Sequence, residues 1–156
     1  MIKIATALLS TALVSSISLS SNADSLRSYL PSEKALKGIL ACQSLAKSNN
    51  WNMAVVIIDR GENIKASFRM DEALPSAYKG AMLKAMTALS WSMSTERVGE
   101  FTEQNPQFKQ FPGLLTIGGG EPIFSMDGKL IGAVGVAGSY VEHDQKCAKA
   151  VLSAIR

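Results

Sequence analysis

The uncharged run from Leu130 to Ala137 limits the fold of this chain more than any other segment. Its apolar side chains hardly alternate with polar ones, so the pattern predicts a β-strand that is buried on both faces. A strand of this kind requires helices on both sides of its sheet. Gly132, Gly135 and Gly138 recur at every third position. Because glycine weakens an ordinary strand, this spacing predicts that another part of the molecule approaches the strand backbone closely.

The residues before this run predict a β-hairpin. Asp127-Gly128 lies between two apolar segments and is typical of a type I′ turn, in which both central residues have positive φ. We expect a separate short strand at Leu114 to Ile117. The resulting order of elements, α-β-β-α-α-β-β-β-α, predicts an α+β fold with a mainly antiparallel five-stranded sheet flanked by helices.

Two of the predicted helices carry clear apolar faces. The first helix, from about Glu33 to Ser48, is expected to turn four side chains inward: Leu36, Ile39, Leu40 and Ala46. The second helix, opened by Pro75, repeats alanine on one side: Ala77, Ala81, Ala85 and Ala88. Its small side chains predict close packing against a neighbouring element.

The N-terminal residues predict export. Lys3 provides a positive start, Ile4 to Leu19 is mostly apolar, and Ser21-Asn22-Ala23 matches a small-x-small cleavage site. We therefore expect residues 1–23 to be a signal peptide and residues 24–156 to be a single domain with no membrane span, located in the periplasm or secreted. An uncleaved membrane anchor is the alternative.

Charge and cysteine content narrow the classes of partner and compartment. The formal net charge is +3 and the Lys and Arg residues are scattered among few aromatic ones, so the sequence argues against a nucleic-acid partner. Cys42 and Cys147 both share helical faces with apolar residues. In an oxidising compartment they are candidates for a disulfide between the first and last helices, and two buried free thiols are the alternative.

Several segments in order resemble the GlcG/HbpS-like family, also called the haem-degrading or haem-binding domain. The matching segments are Val55–Asp59, Phe68–Asp71 with Ala73, Lys84–Ala85 with Thr87–Ala88, Gly119–Ile123, Asp127–Gly128, Ile131–Gly138 and Asp144. The resemblance covers about residues 32 to 155. It implies a profilin-like or roadblock-like α-β-α sandwich, a homo-oligomer, and haem or a related tetrapyrrole as ligand.

His143 is the only histidine, and imidazole is a common ligand of haem iron. It is therefore the candidate axial ligand, with a solvent-facing helix residue as the alternative. Family members with an assigned ligand tend to use a histidine in the first helix, and this chain has none there. Other side chains able to bind iron are Met70, Met82, Met86, Tyr78 and Tyr140.

Arg69 and Lys84 are candidates to bind the propionates of a tetrapyrrole or another small carboxylate. We expect the two cations to lie close together; a structural salt bridge of Arg69 with Asp71 or Glu121 is the alternative. Gly119, Gly120 and Glu121 complete the expected ligand face, although the glycines also suit a structural turn. Glu121, Glu142 and Asp144 are oxygen donors that could hold a cation.

Two functions agree with these observations. The first is an exported haem- or tetrapyrrole-binding protein that assists haem degradation. Binding is favoured over catalysis, because no acid-base pair or redox motif stands out and any oxidation would be the chemistry of bound haem. The second is a ligand-free oligomeric accessory or scaffold protein of the same fold.

Overall fold

The structure, a computed structural model, describes residues 28–156. The predicted signal peptide and its cleavage site lie outside these residues. The elements are α1 Ser32–Ser48, β1 Ala54–Asp59, β2 Ile64–Arg69, α2 Pro75–Trp91, α3 Thr95–Gln104, a 3-10 helix Pro106–Gln110, β3 Gly120–Phe124, β4 Leu130–Ala137 and α4 Val141–Ile155. Within residues 28–156, no helix has the length and apolar character needed to cross a membrane.

The strands form one antiparallel sheet in the order β2-β1-β4-β3. Helices α1 and α4 cover one face and α2 covers the other, which confirms the predicted α+β class. Strand β4 is buried on both faces. Val134 and Val136 pack in the core beneath α1 and α4, and Ala133 and Ala137 pack beneath α2. The double burial predicted from this uncharged run is therefore confirmed.

The predicted fifth strand is wrong, since the sheet of the described chain has four. The segment from Leu114 to Ile117 instead forms hydrogen bonds with the helices α2 and α3. The amide of Leu115 donates to Thr87 Oγ1 over 3.0 Å, and Thr95 Oγ1 donates to the carbonyl of Ile117 over 2.8 Å. Because threonine hydroxyls satisfy these backbone groups, the segment needs no partner strand.

The turn between β3 and β4 also differs from the prediction. The amide of Ser125 donates to the carbonyl of Lys129 over 2.8 Å, and the amide of Gly128 donates to the carbonyl of Ser125 over 2.9 Å. In this loop only Gly128 has positive φ, at 77°. The type I′ prediction is therefore wrong, and the loop has the pattern of a type I turn followed by a left-handed bulge residue.

The apolar face of α1 is narrower than its sequence predicted. Ile39 and Ala46 are buried, as expected, but Leu36 and Leu40 are 57% and 60% exposed. The buried side of α1 also includes Ala35 and Cys42, in agreement with the apolar helical face predicted for Cys42. Leu36 and Leu40 lie one turn apart, so they form an exposed apolar strip on the outer side of the helix.

Gly135 is the point at which α2 lies directly on the sheet. A Cβ atom at this position would overlap the carbonyl oxygen of Ala81 and would lie 2.5 Å from the amide nitrogen of Ala85. Ala81, Ala85 and Ala88 are fully buried against the sheet. At Gly135 the predicted close approach to the β4 backbone is therefore made by a helix of the same chain.

We expect Gly135→Val to destabilise the protein by at least about 1–3 kcal/mol, because the branched side chain would push α2 off β4. Urea unfolding followed by circular dichroism measures this loss. Ser67→Val, which places the same side chain at an exposed strand position, is the control and should change stability little. Equal stability of the two variants would contradict the packing assigned to Gly135.

Cys42 and Cys147 form a disulfide with a Cα–Cα distance of 4.8 Å. This result confirms the candidate pair named from the sequence. The bond joins α1 to α4 across a sequence separation of 105 residues. The two covering helices of one sheet face are therefore covalently linked.

Reduction of this disulfide should lower the melting temperature by more than about 10 °C, because a closed loop of this length stabilises a fold by about 4–5 kcal/mol in the chain-entropy model. Thermal denaturation with and without reductant measures the change. The Cys42→Ala/Cys147→Ala variant is the control, since reductant should leave its melting temperature unchanged. Two titratable thiols in the unreduced, denatured protein would contradict the bond.

Candidate functional site

A buried ion pair joins α2 to the first turn of α4. Lys84 Nζ donates to Asp144 Oδ2 over 2.7 Å and to the carbonyl of Val136 over 3.0 Å, and both charged side chains are 4% exposed. The backbone amide of Ser139 approaches Asp144 Oδ1 at 3.4 Å. Burial raises the pKa of the Asp144 carboxyl, while the Lys84 ammonium opposes the increase. The cation predicted to bind a ligand is therefore held inside the protein.

Gly119 and Gly120 pack directly against this ion pair. Gly119 has φ of 112°, and a Cβ there would lie 2.8 Å from Asp144 Cβ and 3.2 Å from Lys84 Nζ. A Cβ on Gly120 would lie 2.5 Å from the carbonyl oxygen of Lys84. Both glycines therefore occupy positions where the loop needs close backbone packing, which agrees with the structural turn considered from the sequence.

Arg69 and Glu121, two other residues predicted for the ligand face, lie on the different strands β2 and β3. The guanidinium of Arg69 donates to the carbonyl of Ala73 in the loop after β2, whereas Lys84 faces β4. Glu121 is half-buried on β3, where burial raises its pKa and the nearby Lys149 opposes the increase. Arg69 and Lys84 therefore donate to different groups, Arg69 to a loop carbonyl and Lys84 to β4 and Asp144.

His143 lies in a small aromatic cluster at the start of α4. Its ring stacks on Trp51, with centroids 4.0 Å apart and planes 12° from parallel. Tyr140 meets the same imidazole edge-on at 5.5 Å. Ser139 Oγ lies 2.9 Å from His143 Nδ1. When Nδ1 carries the proton and donates it to Ser139, the lone pair of Nε2 is free to bind a metal.

The partners of His143 come from the segments that adjoin the two covering helices. Trp51 lies three residues after the end of α1, and its amide donates to the carbonyl of Ala46 over 2.9 Å. The disulfide of Cys147, one turn after His143, holds α4 against α1. Sequence reasoning missed Trp51 and Ser139. Ser139 lies four residues from His143, a spacing that could have identified it, but no pattern linked Trp51 to the distant α4.

Two cavities of the described region lie away from His143. One of about 250 Å³ lies between the start of α1, the β3–β4 hairpin and the end of α4. Another, of about 540 Å³, lies beside the β1–β2 turn. Neither is lined by any of the six predicted ligand residues. Within residues 28–156, no group of three or more His, Cys, Asp and Glu side chains is placed to hold a metal ion.

A family model described as haem-degrading protein HbpS-like matches residues 30–153. The chain belongs to the HbpS-like family. The family resemblance predicted from the sequence is therefore confirmed.

Solved and curated relatives agree with this membership. Protein GlcG of Escherichia coli K12 is 35% identical over 100 residues, which cover 64% of this chain and 74% of GlcG. The crystal structure of HbpS superposes with a TM-score of 0.75 at 31% identity, covering 81% of this chain and 89% of that one. The crystal structure of a PduOC:heme complex has a TM-score of 0.75 at 25% identity, covering 81% and 95%.

In this HbpS-like chain, the ion pair of Lys84 and Asp144 should be essential for stability. Asp144→Asn leaves the lysine charge buried without a counter-ion, and we expect a loss of about 3–5 kcal/mol. Lys84→Met/Asp144→Leu removes both charges and should recover most of this loss. Urea unfolding of the wild type, Lys84→Met, Asp144→Leu and the double variant measures the coupling.

The exposed pair of Lys109 and Glu103, at 2.7 Å, is the matched control. Glu103→Gln should change stability by less than about 1 kcal/mol, because solvent screens exposed pairs. A loss of similar size for Asp144→Asn and Glu103→Gln would contradict the structural role of the buried pair.

Proposed function

We propose that this protein binds haem or a related tetrapyrrole, with His143 as the axial ligand. The observation that carries the proposal is the arrangement of His143, whose ring is supported by Trp51 and whose Nδ1 is paired with Ser139. Membership of the HbpS-like family and the similarity to the PduOC:heme complex support this class of ligand. The donor chemistry fits, since an imidazole oriented through one nitrogen can bind iron through the other.

The residues around His143 have defined parts in this proposal. Trp51 and Ser139 orient the imidazole. Tyr140 and Val141, 75% and 40% exposed, offer apolar surface beside it. Lys146, exposed one turn further along α4, provides a positive charge for a propionate. Lys84 has no part in binding, because Asp144 neutralises it inside the protein.

Bound haem would supply redox chemistry of iron, and assistance to haem degradation is the corresponding extension of the proposal. We also propose that the protein acts in the periplasm or as a secreted protein. The Cys42–Cys147 disulfide supports an oxidising compartment. The predicted signal peptide supports the same location.

Haemin titration of the full chain, followed by visible absorption, tests the proposal. We expect a saturable Soret band for the wild type and loss of its axial-histidine spectrum in His143→Ala. Ser139→Ala should weaken binding by roughly tenfold, because the imidazole loses the partner that orients it. Lys37→Ala, at an exposed position of α1, is the control and should bind as the wild type does.

The outcomes test haem binding and the role of His143 separately. A wild type that leaves the haemin spectrum unchanged would overturn the binding proposal. Wild-type spectra and affinity in His143→Ala would overturn only the assignment of the axial ligand.

The alternative function is an oligomeric accessory or scaffold protein without a ligand. The exposed strip of Leu36 and Leu40 favours an association between subunits. A homo-oligomer is compatible with both functions. Under the alternative, light scattering gives a multiple of the monomer mass and haemin changes neither this mass nor its own spectrum.

A further inference from the structure

Two aromatic rings meet nearly at a right angle at the surface beyond the C-terminal end of α2. The centroids of Trp91 and Phe111 are 6.1 Å apart and their planes are inclined by 81°. Both residues line a cavity of about 220 Å³ that His143 does not line, and the cavity is also lined by Met86 and Glu62. We name the part formed by Trp91, Phe111 and Glu62 the aromatic corner.

The Trp91 side of the aromatic corner is supported by other rings. Trp91 is the last residue of α2, and Ser92 ends the helix in the left-handed conformation with φ of 52°. Phe101 of α3 and Phe108 of the 3-10 helix each pack 5.6 Å from the Trp91 ring. These contacts restrict the orientation of the Trp91 indole in the absence of a ligand.

The Phe111 side is positioned by a tight turn. The amide of Leu114 donates to the carbonyl of Phe111 over 3.3 Å, and Gly113 has φ of 76°. Proline followed by a glycine with positive φ is typical of a type II turn. The amide of Leu115 then bonds to Thr87 on α2. The turn that carries Phe111 is thus tied to the helix that carries Trp91.

The charge of the cavity is negative. Glu62, in the β1–β2 turn, is the only charged residue among those that line it. In the described part of the chain its carboxylate forms no salt bridge. Two aromatic rings beside an acidic side chain are complementary to an organic cation.

We propose that the aromatic corner binds a small organic cation of the quaternary ammonium class. Such a cation is attracted by the faces of the Trp91 and Phe111 rings and by the Glu62 carboxylate. The cavity is smaller than the roughly 300–1,000 Å³ of pockets that enclose drug-sized ligands, so it suits a compact head group. This site is independent of the proposed haem site.

Choline titration followed by ¹H–¹⁵N NMR tests the proposal on the full chain. The chain has two tryptophans, so Trp91 reports on the aromatic corner while Trp51 serves as an internal control. We expect a saturable shift of the Trp91 indole signal with a Kd of about 1–10 mM. The Trp51 signal should remain in place. The neutral isostere 3,3-dimethylbutan-1-ol should produce a much smaller shift.

Two substitutions test the contributions of the Phe111 ring and the Glu62 charge separately. Phe111→Leu and Glu62→Gln should each weaken choline binding about two- to fivefold. Phe124→Leu and Glu72→Gln are the matched controls. Phe124 is 47% exposed against 54% for Phe111, and Glu72 is an exposed loop carboxylate like Glu62. Both controls should bind choline as the wild type does.

Three results would overturn the proposal. The first is an equal shift with choline and with its neutral isostere, which would indicate apolar contact without recognition of charge. The second is the absence of a saturable Trp91 shift. The third is a Trp91 shift that follows protein concentration and not choline, which would assign the aromatic corner to contacts between copies of the chain.

Discussion

The contact between the backbones of α2 and β4 organises this molecule. Gly135 lacks the side chain that would separate them, so the carbonyl of Ala81 rests on the strand. Because α2 lies this close to β4, Lys84, three residues further along the helix, hydrogen-bonds to the carbonyl of Val136 on β4. It also hydrogen-bonds to the carboxylate of Asp144 on α4. The ion pair thereby connects α2, on one face of the sheet, to α4, which packs mainly on the opposite face.

This connection determines the direction of the side chains at the start of α4. Asp144 turns inward to Lys84, and Gly119 supplies the space that the ion pair needs. The preceding residue, His143, then projects to the side and stacks on Trp51. The disulfide from α4 to α1 holds both ring-bearing segments in place. Asp144 of the buried ion pair and the half-buried imidazole of His143 thus occupy adjacent positions in the chain.

The two aromatic clusters differ in their chemistry. The cluster of Trp51, Tyr140 and His143 contains a nitrogen that can bind a metal, and it supports the proposed tetrapyrrole site. The aromatic corner combines two aromatic rings with the Glu62 carboxylate, and it has no imidazole or thiolate. The sheet separates their supporting elements, since Trp51 follows α1 on one face and Trp91 ends α2 on the other.

The sequence by itself determined the family, the α+β class, the double burial of β4, the close approach at its glycines and the candidate cysteine pair. These properties are encoded by local patterns of apolar residues, glycine and cysteine. The sequence predicted one strand too many. An apolar segment such as Leu114 to Ile117 does not reveal that threonine hydroxyls on α2 and α3 will form hydrogen bonds with its backbone.

Only the tertiary structure decided which distant side chains meet. Lys84 and Asp144 are separated by 60 residues, and no local pattern states that the lysine is neutralised by this carboxylate instead of by a ligand. The same holds for Trp51 and His143, and for Trp91 and Phe111. Periodicity predicts which face of an element is buried, but the partners on that face depend on how the elements pack.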